Sequence, residues 1–106
     1  MVDFDTREQV NSIVMEYASN LKNHINLHSL YLYGSYAKGN YNIDSDIDIA
    51  VIADGFTGDI VEDTYMLMKL RRKIDKRIEP HPFSVHEFTE DNPIVKEIIS
   101  TGIKVI

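Results

Sequence analysis

Apolar residues recur along this chain in two alternating ways, at three-and-four spacing in some stretches and in short, nearly unbroken runs in others. The first pattern marks helices and the second marks strands. Val10, Ile13, Val14, Tyr17, Ala18 and Leu21 share one helical face behind Asp5-Thr6-Arg7-Glu8, a capping-box sequence, so a first helix is predicted to end near Asn23. His28 to Tyr33 is rich in Leu and Tyr and stops at Gly34, as a strand entering a tight turn would. Ser35 to Lys38 fits a short helical turn closed by Gly39, and Asn40 to Ser45 reads as a polar loop. Ile47 to Ile52 is apolar except for Asp48, which predicts a strand covered on both faces with one carboxylate at its start.

Gly55 and Gly58 then punctuate a loop, and Ile60, Val61, Thr64, Leu67, Met68 and Ile74 give a second amphipathic helix of about four turns. Arg77 to Ser84 reads as a third strand, and because Pro80 and Pro82 cannot donate ladder hydrogen bonds, an edge or bulged one. Ser84-Val85-His86-Glu87 has capping-box form, and Asn92-Pro93 offers an N-cap and first-turn proline for a short helix ending near Gly102. Ile103 to Ile106 suits either a last strand or docking on a partner. Helices interleaved with strands predict an α/β (α+β) fold, and the 106 residues suit one domain, 1–106, with one core.

Composition narrows the function more than the fold. Apolar residues at 43% and charged residues at 26% fit a globular protein. No apolar run nears the roughly 20 residues needed to cross a bilayer, and Met1-Val2-Asp3 begins no signal peptide, so no membrane association and a cytoplasmic location are expected. The absence of cysteine excludes disulfides and thiolate zinc sites. A net charge of −6 argues against binding a long nucleic acid, whereas a small nucleotide with its cations remains compatible.

The chemistry concentrates in Gly34 to Asp48, GSYAKGNYNIDSDID. Gly34 would let the backbone pass close to a triphosphate, and Ser35 can donate from its amide and its hydroxyl to a phosphate oxygen. Asp46 and Asp48, two positions apart on a strand, point to one face about 6.5 to 7 Å apart and can share divalent ions. Transfer of a nucleotidyl group needs charge neutralised on both the attacking and the leaving oxygen, which a pair of magnesium ions does well. A third carboxylate on a neighbouring strand would complete such a site, and Glu79 is the best placed. Outside this motif, Lys69, Arg71, Arg72, Lys73, Lys76 and Arg77 form a basic cluster suited to triphosphate, RNA, an acidic partner or simply water. Tyr31, Tyr33, Tyr36, Tyr41 and Tyr65 read mostly as core or rim aromatics, with Tyr36 and Tyr41 also able to stack on a base, and His81 and His86 lack a tight ligand spacing.

Gly-Ser, ten residues, Asp-x-Asp and a later acidic strand residue together resemble the minimal nucleotidyltransferase (MNT) family of the polymerase-beta-like superfamily, over about residues 6 to 105. Gly34, Ser35, Gly39, Ser45, Asp46 and Asp48 match its motif, whereas the third acid is usually Asp and here is Glu followed by proline. The resemblance implies a small mixed β-sheet flanked by helices. It also implies nucleotide binding at Gly34, Ser35 and Ser45, catalysis and magnesium ligation by Asp46, Asp48 and Glu79, and ATP as substrate. Members of this size resemble antitoxins paired with a HEPN toxin, some of which transfer AMP to a tyrosine of that partner. The alternative is an inactive relative that holds nucleotide or partner without transfer, and a further one is transfer to a small molecule.

Overall fold

A computed structural model describes residues 7–42 and 44–106 of the chain. Its elements run α1 (Arg7–Leu21), β1 (Asn26–Tyr33), α2 (Ser35–Lys38), β2 (Ile47–Asp54), α3 (Ile60–Leu70), β3 (Ile78–Phe83), α4 (Pro93–Thr101) and β4 (Ile103–Lys104). The sheet order is β3-β2-β1-β4. β1 is antiparallel to β2 and to β4, while β2 and β3 are parallel and joined through α3, so the sheet is mixed. This is the α/β architecture expected from the interleaved patterns. The Asp5-Thr6 part of the first capping box lies outside the described residues.

β2 sits between β1 and β3, and its side chains alternate between two apolar layers. On one face Ile47, Ile49, Val51 and Ala53 join Leu30, Leu32 and Ile78 beneath Val14, Tyr17 and Leu21 of α1 and Leu67 of α3, all buried. Two hydrogen bonds fix α1 against the end of α3. The Tyr17 hydroxyl donates to Leu67 O at 2.7 Å and the Asn20 amide to Leu70 O at 2.8 Å, satisfying carbonyls that a helix end leaves unpaired. Burial pushes the Tyr17 ionisation far above the ordinary tyrosine range. On the other face Ala50 and Ile52 pack with Ile98 of α4 and with Tyr31, Tyr33, Phe83 and Phe88.

Several boundaries differ from the sequence pattern for physical reasons. β1 begins two residues before His28, across an irregularity between Leu27 and Ser29. α3 stops at Leu70 instead of reaching Ile74, and the Arg71 guanidinium turns back to donate to the carbonyls of Lys76 and Ile78. Ile60 and Val61, expected on the inner face of α3, are 63% and 73% exposed. Asp63 takes the inner position instead. Its buried carboxylate accepts from Thr57 N and Oγ1 at 2.9 Å and from Gly58 N at 3.1 Å, which sets the helix rotation so that Asp63 and Leu67, one turn apart, face inward.

Other expectations hold closely. β3 is an edge strand carrying Pro80 and Pro82. The two prolines share parity, so both missing donors fall on the side away from β2, where no ladder bond is lost. Asn92 caps α4 by accepting from Ile94 N at 2.9 Å, with Pro93 in the first turn. Ser84 and Glu87 exchange both capping-box hydrogen bonds, at 3.1 and 3.2 Å, but these close a turn and open no helix. The tail forms β4 and extends beyond it, with Val105 N donating to Leu30 O at 2.8 Å. Among the described residues no helix is long and apolar enough to cross a membrane.

Candidate active site

The chain leaves β1 at Tyr33 and turns through Gly34, whose φ of 74° and ψ of −150° lie in a region open almost solely to glycine. A Cβ at this position would also overlap the Asp48 carboxylate. Two independent demands therefore converge on residue 34. The consequence for the site is direct: the glycine main chain lies against a carboxylate that comes from β2, fourteen residues later. Half-buried Ser35 opens α2, with first-turn amides that have no intrahelical acceptor. Gly39 closes this turn in the left-handed conformation.

Beneath the turn, Tyr36 is fully buried and stacks on Tyr41, with ring centroids 4.4 Å apart and planes 14° from parallel. Its hydroxyl accepts from Arg77 at 3.2 Å, and Arg77 is gripped by Asp75 through contacts of 2.7 and 3.0 Å. The Arg77 hydrogen bonds hold the Asp75 carboxyl below the usual carboxylate range. Arg77 O also accepts from Ile47 N at 2.8 Å, the first rung where β2 meets β3. Tyr36 and Tyr41 thus stack on each other and support the turn from below; Tyr36 presents no face for a base.

Tyr33, Asp48 and Glu79 form one row across β1, β2 and β3. Tyr33 pairs with Asp48 in the antiparallel ladder and Asp48 pairs with Glu79 in the parallel one, so the three project from the same face. Burial, followed by the negative charges of Asp48 and then Glu79, pushes the Tyr33 phenol well above its ordinary range. His81, two residues beyond Glu79 and hence on the same face, brings Nε2 to 3.9 Å from Asp48 Oδ1 and its ring centroid to 5.8 Å from that of Tyr33. Sequence reasoning missed Tyr33 and His81 as site neighbours. The signal was available in period two, which puts residue 81 with residue 79, but the cross-strand register that brings in Tyr33 was not.

Asp46 stands just ahead of the first residue of β2 and is exposed. The loop before it is pinned locally, with Ser45 Oγ accepting from Asn42 N at 2.9 Å and Asn42 Oδ1 accepting from Asp44 N at 2.8 Å. Ser45 is therefore engaged in holding the loop. Among the described residues no three His, Asp or Glu side chains come close enough together to hold a metal ion, so Asp46, Asp48 and Glu79 are not gathered as one ligand cluster. Asp48 and Glu79 nonetheless offer hard oxygen donors side by side. That donor set fits magnesium, which takes one or two carboxylates and completes its shell with phosphate and water. A phosphate seated at Gly34 beside Asp48 would otherwise face like charge at close range, and a divalent cation between them removes that repulsion.

Two concavities lie at opposite ends of the sheet. One of about 220 Å³ lies beside Gly34, lined by Tyr33, Lys38, Ile94 and Glu97 among others, with an exposed Lys38–Glu97 ion pair of 3.6 Å across it. Another, of about 310 Å³, lies at the far ends of β2 and β3, by Asp54, Asp63, Ser84 and Glu87. The second is remote from the carboxylate row, and the polar groups of Asp63, Ser84 and Glu87 are already paired within the protein. The Gly34 end is the better candidate.

The small mixed sheet with its flanking helices is that of a nucleotidyltransferase fold, and its glycine turn lies against the Asp48 carboxylate. The sequence profile described as polymerase beta, nucleotidyltransferase matches residues 16–106, and the chain belongs to that family. No curated protein matches it. Among solved structures, a candidate nucleotidyltransferase of Sulfolobus solfataricus is similar at 28% identity, with 93% of this chain and 78% of that one covered and a TM-score of 0.59. A toxin–antitoxin complex with AMP-PNP is similar at 22% identity, covering 91% and 72%, with a TM-score of 0.64. The tri-AMPylated HEPN toxin of Shewanella oneidensis in complex with MNT antitoxin is similar at 19% identity, covering 95% and 72%, with a TM-score of 0.57. In these last two the likeness is one of fold.

Proposed function

We propose that this chain is a magnesium-dependent nucleotidyltransferase of the cytoplasm that moves AMP from ATP to a hydroxyl of a partner protein, a tyrosine of a HEPN toxin, and so acts as an antitoxin. The observation that carries this reading is the contact between the Gly34 main chain and the Asp48 carboxylate, with Glu79 in register beside it. Structures similar in fold, one a toxin–antitoxin complex with AMP-PNP and one a tri-AMPylated HEPN toxin with MNT antitoxin, support the nucleotide and the acceptor.

In this reaction Gly34 and Ser35 hold the triphosphate, with Ser45 shaping the loop that faces it. The acceptor oxygen forms a bond to the α-phosphorus, the bond between that phosphorus and the bridging oxygen breaks, and pyrophosphate leaves. Glu79 takes the acceptor proton. Asp48 and Glu79 are the residues that would hold magnesium, with Asp46 joining them from the loop ahead of β2, and the ion would supply charge neutralisation on the attacking and leaving oxygens. Labelled ATP, magnesium and a HEPN protein encoded beside this chain should yield a labelled partner, and Asp46→Asn with Asp48→Asn should abolish the label. Labelling that persists in the double variant would remove these carboxylates from the chemistry.

The ungrouped carboxylates and the exposed position of Asp46 favour a second reading, an inactive module that neutralises its partner by contact. Under it the double variant protects cells as well as the parent chain does; loss of protection rules it out.

A further inference from the structure

The outer face of α3 carries features that the transfer reading does not use. Ile60, Val61 and Tyr65 are 63%, 73% and 59% exposed, and with Thr64 and Met68 they line a shallow apolar depression of about 370 Å³. Large apolar side chains gathered on one surface mark an interaction site more often than isolated ones do. A second depression of about 280 Å³ begins at the same Tyr65 and Met68 and runs on to Lys69, Arg71, Arg72 and Lys76. The two adjoin at Tyr65 and Met68 and together make a groove-like surface along α3, apolar at its start and basic at its end.

The charge at that end is unusual for this protein. Six of its 11 Lys and Arg residues lie between positions 69 and 77, in a chain of net charge −6. Arg71 is committed to the carbonyls of Lys76 and Ile78, and Arg77 is held by Asp75, the single acid in the segment. Lys69, Arg72, Lys73 and Lys76 are exposed, with Lys69 Nζ lying 5.1 Å from the centre of the Tyr65 ring.

Building on the partner assigned above, we propose that the α3 groove docks that partner through an amphipathic helix, whose apolar stripe covers Ile60, Val61, Tyr65 and Met68 and whose acidic side chains meet Lys69, Arg72 and Lys76. An apolar stripe beside acidic positions is the complement of this groove, and helices are read by grooves of this kind. A nucleic acid would match the basic end but leave the apolar end uncovered. Leu67 of α3 packs on the sheet face opposite the Asp48 and Glu79 row, so docking here leaves the carboxylates open to an acceptor hydroxyl.

The full chain and the HEPN protein encoded beside it test the proposal by titration calorimetry, with labelling from ATP followed separately. Val61→Glu with Tyr65→Glu, and Lys69→Glu with Arg72→Glu, should each weaken binding about tenfold or more while thermal melting and ATP binding stay at the parent level. Raising salt from about 0.05 to about 0.5 M should weaken the parent complex more than that of the charge-reversed variant. Parent-level binding by both variants overturns the proposal, as does failure of the parent chain to bind. Loss of single-stranded RNA binding in the charge-reversed variant with partner binding unchanged also overturns it, in favour of a nucleic-acid surface. Binding that depends on α3 without any labelling leaves the docking face standing and sinks the transfer reading; labelling with binding indifferent to α3 does the reverse.

Discussion

The two faces of β2 divide the work of the molecule. Ile47, Ile49, Val51 and Ala53 are sealed beneath α1 and α3, where they have no contact with water. One residue along at each step, Asp48, Ala50 and Ile52 belong to a face that α4 and Phe88 cover in part, leaving the Asp48 end half-buried beside Glu79 and His81. The strand's period of two is what allows this: the same eight residues anchor a close-packed core and present a carboxylate to the outside. Packing on the sealed side fixes the register, and the register puts Tyr33, Asp48 and Glu79 in one row. Stability and chemistry should therefore respond to different substitutions although the residues concerned are adjacent.

The sharpest way to break that division is Asp48→Asn. It should lower transfer about a thousandfold, the scale of losing a group that acts on developing charge, and leave the melting temperature unchanged or raised because a like-charge neighbour of Glu79 is gone. Measured transfer and thermal melting together check this, and a fall in melting temperature of several degrees would tie the two faces together. Leu32→Ala, on the sealed face, should do the opposite. It should cost about 3 kcal/mol in denaturant unfolding while transfer per folded molecule stays close to the parent value.

Gly34→Ala is the substitution that should affect both sides at once. The backbone conformation alone should cost about 2 kcal/mol, and the displaced Asp48 carboxylate should lower transfer as well. A variant that melts normally and stays active would mean that the turn relaxes freely. The smallest effect belongs to Asp75→Asn. Because Arg77 holds the folded-state carboxyl below its unfolded value of about 3.9, the stabilisation is whole above that value and fades as the pH falls through the lower folded one. At neutral pH the variant should lose under about 1 kcal/mol, since the pair is partly solvated, and the difference from the parent should vanish in acid.

Much of this layout was legible in the sequence wherever local chemistry decided the outcome. Gly34, Gly39 and the Asn92-Pro93 cap announce their turns, and the two prolines of β3 announce an edge. Glu79 was legible as an acid on the strand that follows the second helix, and the structure pairs it with Asp48 alone. What stayed hidden depends on long-range packing. Ile60 and Val61 match a helical apolar pattern as well as Leu67 does, and only the hydrogen bonds from Thr57 and Gly58 to Asp63 turn them outward. The sequence reads Tyr36 mostly as a core or rim aromatic, which its burial bears out, but nothing local reveals that Tyr41 lies against it and that Arg77 reaches its hydroxyl. Asp46 matches a spacing rule, but the tie between Ser45 and Asn42 governs the approach to the strand there.

The outer margin of β3 has a consequence for how this protein meets others. A bare strand edge invites any extended peptide to zip onto it through main-chain hydrogen bonds, the route by which sheets polymerise. With Pro80 and Pro82 at two outward-facing positions and the Ile78 amide already bonded to Asp75 O, that row offers no free main-chain donor within the strand, which weakens self-templated growth from this side. A protein that approaches here has to be held chiefly by its side chains.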